Sequence, residues 1–218
     1  MKNVFSKFFS LLPPGSRLLL LAYALGLVAL VGNLTQLFDL YSWLALTPAL
    51  VWKGQVWRLV SYAFLPGGIV DWVVSLFWLA TLVSVLGRNW SARELWGYCL
   101  LAVIAGALPI VLLKSNSELG MVSSAAMIFA LLAAWYRIYG RERLILLGIG
   151  ELSVRQAAIF VAIIEAVILL FSCFGWFGML AMMGGGVVGW LYLSLRWKLA
   201  LGKGSRPTNS ERIARLEL

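Results

Sequence analysis

Long apolar runs, broken by short polar or basic interruptions, dominate the chain. They fall at roughly residues 18–36, 70–87, 95–113, 120–136, 157–175 and 177–195. Each approaches the roughly 20 residues that an α-helix needs to cross the hydrocarbon core of a bilayer. The last two are parted only by "FGWFG", residues 174–178, which predicts a tight helical hairpin. The pattern predicts an all-α, polytopic integral membrane protein with six spans. Five spans with one re-entrant segment is the alternative. By this reading residues 1–16 form an N-terminal segment, 17–196 a membrane domain and 197–218 a basic polar tail.

Composition strengthens the reading. The 218 residues are 62% hydrophobic and 12% charged, far from the balance of a soluble domain. Charge then sets an orientation. With the N-terminus inside, 18 lysines and arginines divide so that only Lys53, Arg58 and Lys114 fall on outer segments. That is a strong positive-inside bias and predicts that both termini are cytoplasmic. The net charge of +9 is then accounted for by loops beside anionic lipid and calls for no nucleic-acid partner. A cell inner or plasma membrane is the expected location. Lys2 and Lys7 precede the first apolar run, but no A-x-A-like cleavage site follows it, so a retained first span is expected. Cys99 and Cys173 both lie in apolar runs, where they are expected to act as small packing residues.

The connection between the first two runs, about residues 35–69, is too long and too apolar for a simple loop. Tyr41, Trp43, Trp52, Trp57 and Tyr62 interleave with leucines and valines there. Rings of this kind favour the headgroup level, so short amphipathic helices in the outer interface are expected. Arg58, next to Trp57, has a fixed fork of donors that can hold several carbonyls and lock the segment. A solvated arginine that binds headgroups is the alternative.

Three further features bear on chemistry. The sixth run contains "MLAMMGGGVVGW", residues 179–190, where Gly184, Gly185, Gly186 and Gly189 expose helix backbone. Such small-residue faces let membrane helices approach closely. The fourth run opens with "GMVSSAAMIFALL", residues 120–132, whose Ser123 and Ser124 can bond to helix carbonyls. Glu165 stands in the middle of the fifth run. A carboxylate at that depth costs about 2.5–3.5 kcal/mol on insertion scales, so it should face the bundle interior. A hydrogen bond to a carbonyl or serine is the favoured role, a proton or ion pathway the alternative, and no second membrane-embedded charge is evident to relay to.

From about Leu46 to Arg196 the chain resembles the rhomboid family of intramembrane serine proteases. The stretch "LTPALVWKGQVWRLVSYAFL" is similar to the family's long first loop, with its Trp57-Arg58 pair and the hydroxyl of Ser61 following. The resemblance implies a catalytic serine at the start of the fourth span and a histidine ahead of a G-x-x-x-G pair in the sixth. Gly185 and Gly189 fall on the glycine pair, and Met182 on the histidine. The nucleophile position falls on Ser124 or Ala125, depending on a one-residue shift. The polar positions that help bind the oxyanion fall on Asp71 and Ser75.

The chemistry implied by the family is therefore incomplete. The chain contains no histidine, a methionine cannot take a proton, and a serine needs a base to attack at neutral pH. Lys53 and Lys114 are the outer-side candidates for a lysine base, but "KSNSEL" around Lys114 reads as solvated. An anionic Asp71 would oppose an oxyanion. The expectation is a pseudoprotease, without cofactor or metal, resembling derlins and iRhoms and binding transmembrane client proteins in the lipid bilayer without cleaving them. Trp57, Arg58, Gly185, Gly189 and Glu165 are the expected structural or client-binding residues. The alternatives are an active endopeptidase using Ser124 with a non-histidine base, and a small transporter or channel using Glu165.

Overall fold

A computed structural model describes residues 13–37, 39–114, 116–140, 143–146, 150–171 and 175–202. The chain is mostly helical. Helix α1 spans Pro14–Leu34, α5 Ile69–Leu86, α6 Ala92–Leu113, α7 Ala125–Tyr139, α8 Val154–Phe171 and α9 Gly175–Gly202. Between α1 and α5 lie three single-turn helices, α2 Tyr41–Leu44, α3 Pro48–Trp52 and α4 Arg58–Ser61, then a 3-10 turn at Tyr62–Phe64. Among the described residues, four helices are long and apolar enough to cross a membrane: α1 from Gly15, α5, α6 and the Gly178–Arg196 part of α9.

The element starts follow local chemistry. Pro14 opens α1 in its first turn, where a missing N–H costs nothing. Ser91 caps α6 by accepting from the Glu94 backbone N–H. Glu94 in turn pairs with Arg196 of α9, tying the two helices at one end.

Two sequence expectations are corrected here. The fourth apolar run does not begin its helix at residue 120. Met121 is extended and exchanges both backbone hydrogen bonds with Leu46, at 2.8 and 2.9 Å, so α7 starts only at Ala125. The all-α expectation also misses one element, an antiparallel hairpin of β1 Arg143–Leu146 and β2 Gly150–Ser153. Its residues lie between the fourth and fifth apolar runs, where no element was expected. Cys173 and the start of the 174–178 hairpin lie outside the described residues, as do residues 1–12 and 203–218.

Helix α7 is the centre of the bundle. Its 15 residues extend about 22 Å at 1.5 Å per residue, short of the roughly 30 Å of a hydrocarbon core. Ala126, Met127, Ile128, Ala130, Leu131 and Ala134 are fully buried. Helices α5, α6, α8 and α9 all pack against α7, whereas α5 and α8 do not pack extensively on each other. Helix α1 closes the other side of α5 and α6. There Ser16 donates to the Val83 carbonyl at 3.1 Å and the Trp96 indole donates to the Gly15 carbonyl at 3.2 Å.

Candidate functional site

The glycines of α9 lie where that helix wedges between α6 and α7. A Cβ on Gly184 would stand 2.6 Å from the Ala105 carbonyl oxygen. One on Gly185 would stand 2.7 Å from Ala126 Cα, and one on Gly189 3.1 Å from Ala130 Cα and 2.6 Å from the Tyr98 hydroxyl. At Gly184 and Gly185 backbone meets backbone, so nothing can rotate out of the way. Tyr98 is itself anchored, donating to the Ala130 carbonyl at 2.5 Å. Gly186 is different: its nearest neighbour would be Phe129 Cβ at 3.9 Å. Helices α7 and α9 run side by side with Gly185 on Ala126 and Gly189 on Ala130. One turn further up, the same register brings Met182 level with Ser123.

The segment between α1 and α5 is locked around Arg58. Its Nη1 donates to the Ala45 carbonyl and its Nη2 to the Ser42 carbonyl, both at 2.6 Å, and its Nε to Gln55 Oε1 at 2.7 Å. Only 3% of the residue is exposed. Burial draws the guanidinium pKa down from its ordinary value, which is so high that the charge is kept. Ser61 adds a bond from Oγ to the Leu44 carbonyl at 2.6 Å, and the Trp57 indole donates to the Trp43 carbonyl at 3.3 Å. Tyr41 donates to the Pro66 carbonyl. Burial, with Asp71 second, pushes its phenol up to about 12, so it remains a donor. Trp43, Trp52, Val56 and Trp57 are exposed around this knot. Tyr62 is the exception among the expected interfacial rings. It is fully buried and donates to the Val103 carbonyl of α6 at 2.9 Å, because its position in the 3-10 turn points inward.

A polar cluster lies beneath this segment. Ser124, just ahead of α7, donates from Oγ to Ser75 Oγ of α5 at 3.0 Å. Ser75 donates to Asp71 Oδ1 at 3.3 Å, and Asp71 Oδ2 accepts from the Gly67 N–H at 2.8 Å. Ser124 and Ser75 are 2% and 1% exposed. Thus Asp71, Ser75 and Ser124, far apart in sequence, form one hydrogen-bonded file. Ala125 is buried as the first residue of α7, and Ser123 Oγ accepts from its N–H at 3.2 Å.

Tyr23 of α1 escaped the sequence reading. It is wholly buried, and its hydroxyl stands beside Ser75 and Ser124, within electrostatic reach of Asp71 and Glu165. Among the described residues it makes no hydrogen bond of ordinary geometry. Its only sequence signal was a lone hydroxyl inside "LLLLAYALGL". Glu165 is 4% exposed, and its Oε1 has no hydrogen-bond partner among the described residues. The expected bond to a carbonyl or serine is therefore not made by that atom. No group of three or more potential metal ligands occurs among the described residues.

Residues 18–198 match the family model described as "Eukaryotic integral membrane protein (DUF1751)". The chain belongs to that family. It is a multi-pass integral membrane protein, and the apolar helices above are its membrane helices. A comparison with curated proteins finds no match. The family description names no reaction, so the site's chemistry has to be argued from its own geometry.

Proposed function

We propose that the chain is a six-span, rhomboid-like pseudoprotease that holds transmembrane client helices without cleaving them. The observation that carries this reading is the hydrogen-bonding of Ser124. Its hydroxyl is engaged with Ser75, in a chain without histidine. Asp71, one hydroxyl further away, is a poor base for a serine it does not touch. Its negative charge would also repel a developing oxyanion. Two features of the bundle support client binding. The short central helix would thin the bilayer around it. Helices α5 and α8 both pack on α7 but not extensively on each other, and a weakly hydrophobic client helix seated between them would lose less there than in bulk lipid.

In this proposal α7 and α8 complete the six spans and both termini face the cytoplasm, in a cell inner or plasma membrane. Reporter fusions after residues 8, 90, 145 and 205 should read cytoplasmic, and one near residue 116 external. An external reading at residue 145 would break the six-span arrangement.

Purified protein should crosslink to single-span model helices and leave them intact. It should also resist serine-directed fluorophosphonate probes, since an unactivated hydroxyl reacts poorly. Ser124→Ala should change neither result. Cleavage by the unaltered chain that disappears with Ser124→Ala would overturn the pseudoprotease reading.

A further inference from the structure

A cavity of about 520 Å³ opens at the end of the bundle where α1 finishes and α7 begins. Asn33 of α1, Asp39 and Ser42 at the start of α2, Thr47 ahead of α3, and Glu118 and Gly120 ahead of α7 all line it. Its walls are tied together. Leu46 pairs its backbone with Met121, the Ala49 N–H donates to the Ser117 carbonyl at 3.1 Å, and Arg58 holds the Ser42 and Ala45 carbonyls. No lysine or arginine lines the cavity. Asp39 Oδ1 accepts from the Ser42 N–H at 3.0 Å, but among the described residues neither Asp39 nor Glu118 has an ion pair. Both acids are exposed to water. Thr47 lies deeper. It is only 6% exposed, yet its hydroxyl makes no hydrogen bond among the described residues, not even as a cap for α3. Buried hydroxyls normally have a partner. Gly120 leaves this one uncovered, since a Cβ there would stand 3.6 Å from Thr47 Oγ1.

We propose that this cavity binds a small organic amine, whose ammonium groups are held by Asp39 and Glu118 and reach the Thr47 oxygen. Three properties fix that class. The volume falls within the roughly 300–1,000 Å³ of small-molecule sites and far exceeds a bare ion. Two carboxylates facing a space without a cation call for positive charge, and Arg58 does not supply it, because its donors are spent on carbonyls and Gln55. Carboxylates accept hydrogen bonds and cannot donate them, so the ligand must bring N–H donors, which a primary ammonium has in threes. A resident metal ion is a poorer fit, because no group of three potential ligands of the usual kinds occurs among the described residues. Neither this cavity nor this ligand enters the client-binding reading, so the two stand or fall separately.

The test uses the full chain in nanodiscs of phosphatidylcholine, a lipid without primary amines, titrated calorimetrically with 1,4-diaminobutane. Its neutral counterpart 1,4-butanediol should bind about tenfold more weakly, the worth of one or two hydrogen bonds to charged groups. The permethylated diamine, which keeps its charge but cannot donate, should also bind more weakly. Asp39→Asn keeps the acceptor for Ser42, and Glu118→Gln changes an exposed side chain, so neither should move the melting transition. Each should weaken diamine binding, and together they should erase the preference over the diol. Thr47→Val should weaken the diamine at an unchanged melting temperature, a loss that a merely structural threonine would not produce. Equal binding of diamine and diol would overturn the proposal, as would diamine binding that survives the Asp39→Asn, Glu118→Gln double change. Calcium binding that is lost in that double variant, without diamine binding to the parent, would overturn it in favour of an inorganic cation.

Discussion

Gly185→Ala is expected to destabilise the bundle by about 2–3 kcal/mol, the range for forcing extra volume into a packed core, although alanine is the better helix former. The new Cβ would sit 2.7 Å from Ala126 Cα and closer still to that residue's carbonyl oxygen. Relief requires α7 and α9 to part along their length, which would also disturb Gly189 against Ala130. Gly189→Ala meets the Tyr98 hydroxyl at 2.6 Å and would break its bond to the Ala130 carbonyl. Leucine at either position should be worse. Gly186→Ala is the control: its Cβ would make only an ordinary contact with Phe129 Cβ at 3.9 Å, so it should be neutral or stabilise by up to about 1 kcal/mol through helix propensity. Thermal unfolding in a mild detergent reads all of these. Equal melting temperatures for the Gly185 and Gly186 variants would show that backbone contact does not hold α9 in place.

Arg58→Ala should cost about 3–5 kcal/mol of stability in the segment between α1 and α5. It removes three charge-assisted hydrogen bonds at 2.6–2.7 Å. The carbonyls of Ala45 and Ser42 are left unpaired in a region with little water, each at a penalty of about 1–3 kcal/mol. Arg58→Lys should recover only part of this, because an ammonium lacks the planar fork that spans both carbonyls. Hydrogen exchange of residues 41–64 is the direct measurement. Exchange should quicken there in Arg58→Ala while α7 stays protected. The loop lies over Asp71, Ser75 and Ser124, so client capture should weaken as well. Unchanged exchange in Arg58→Ala would mean that the aromatic contacts alone fix the segment.

Several parts of the molecule were legible in the sequence because they depend on solvent and on local backbone chemistry. Twenty-odd apolar residues exclude water whatever they pack against, so the membrane helices could be read directly. The trio Gly184–Gly186 with Gly189 announced a close approach because glycine in a helix needs some neighbour to offset its cost. A guanidinium amid aromatic residues likewise announced a carbonyl-binding knot.

Tertiary structure alone decided which residues meet. Asp71 and Ser75 stand one helical turn apart on α5, a local pair, but Ser124 is 49 positions from Ser75, and only the packing of α5 on α7 adds it to the file. Tyr23 joins them from α1, and its role was invisible because one tyrosine in an apolar run reads equally well as an interfacial ring. The extended start of the fourth apolar run also depends on tertiary structure: Gly120, Val122, Ser123 and Ser124 are weak helix formers, and Met121 pairs its backbone with Leu46, so α7 begins at Ala125. Glu165 illustrates the division most plainly. Its charge fixed that it must turn inward from lipid, a rule of solvation that any chain obeys. That it turns toward α7 and leaves Oε1 without a hydrogen-bond partner among the described residues was set by how the helices share α7, which no local pattern encodes.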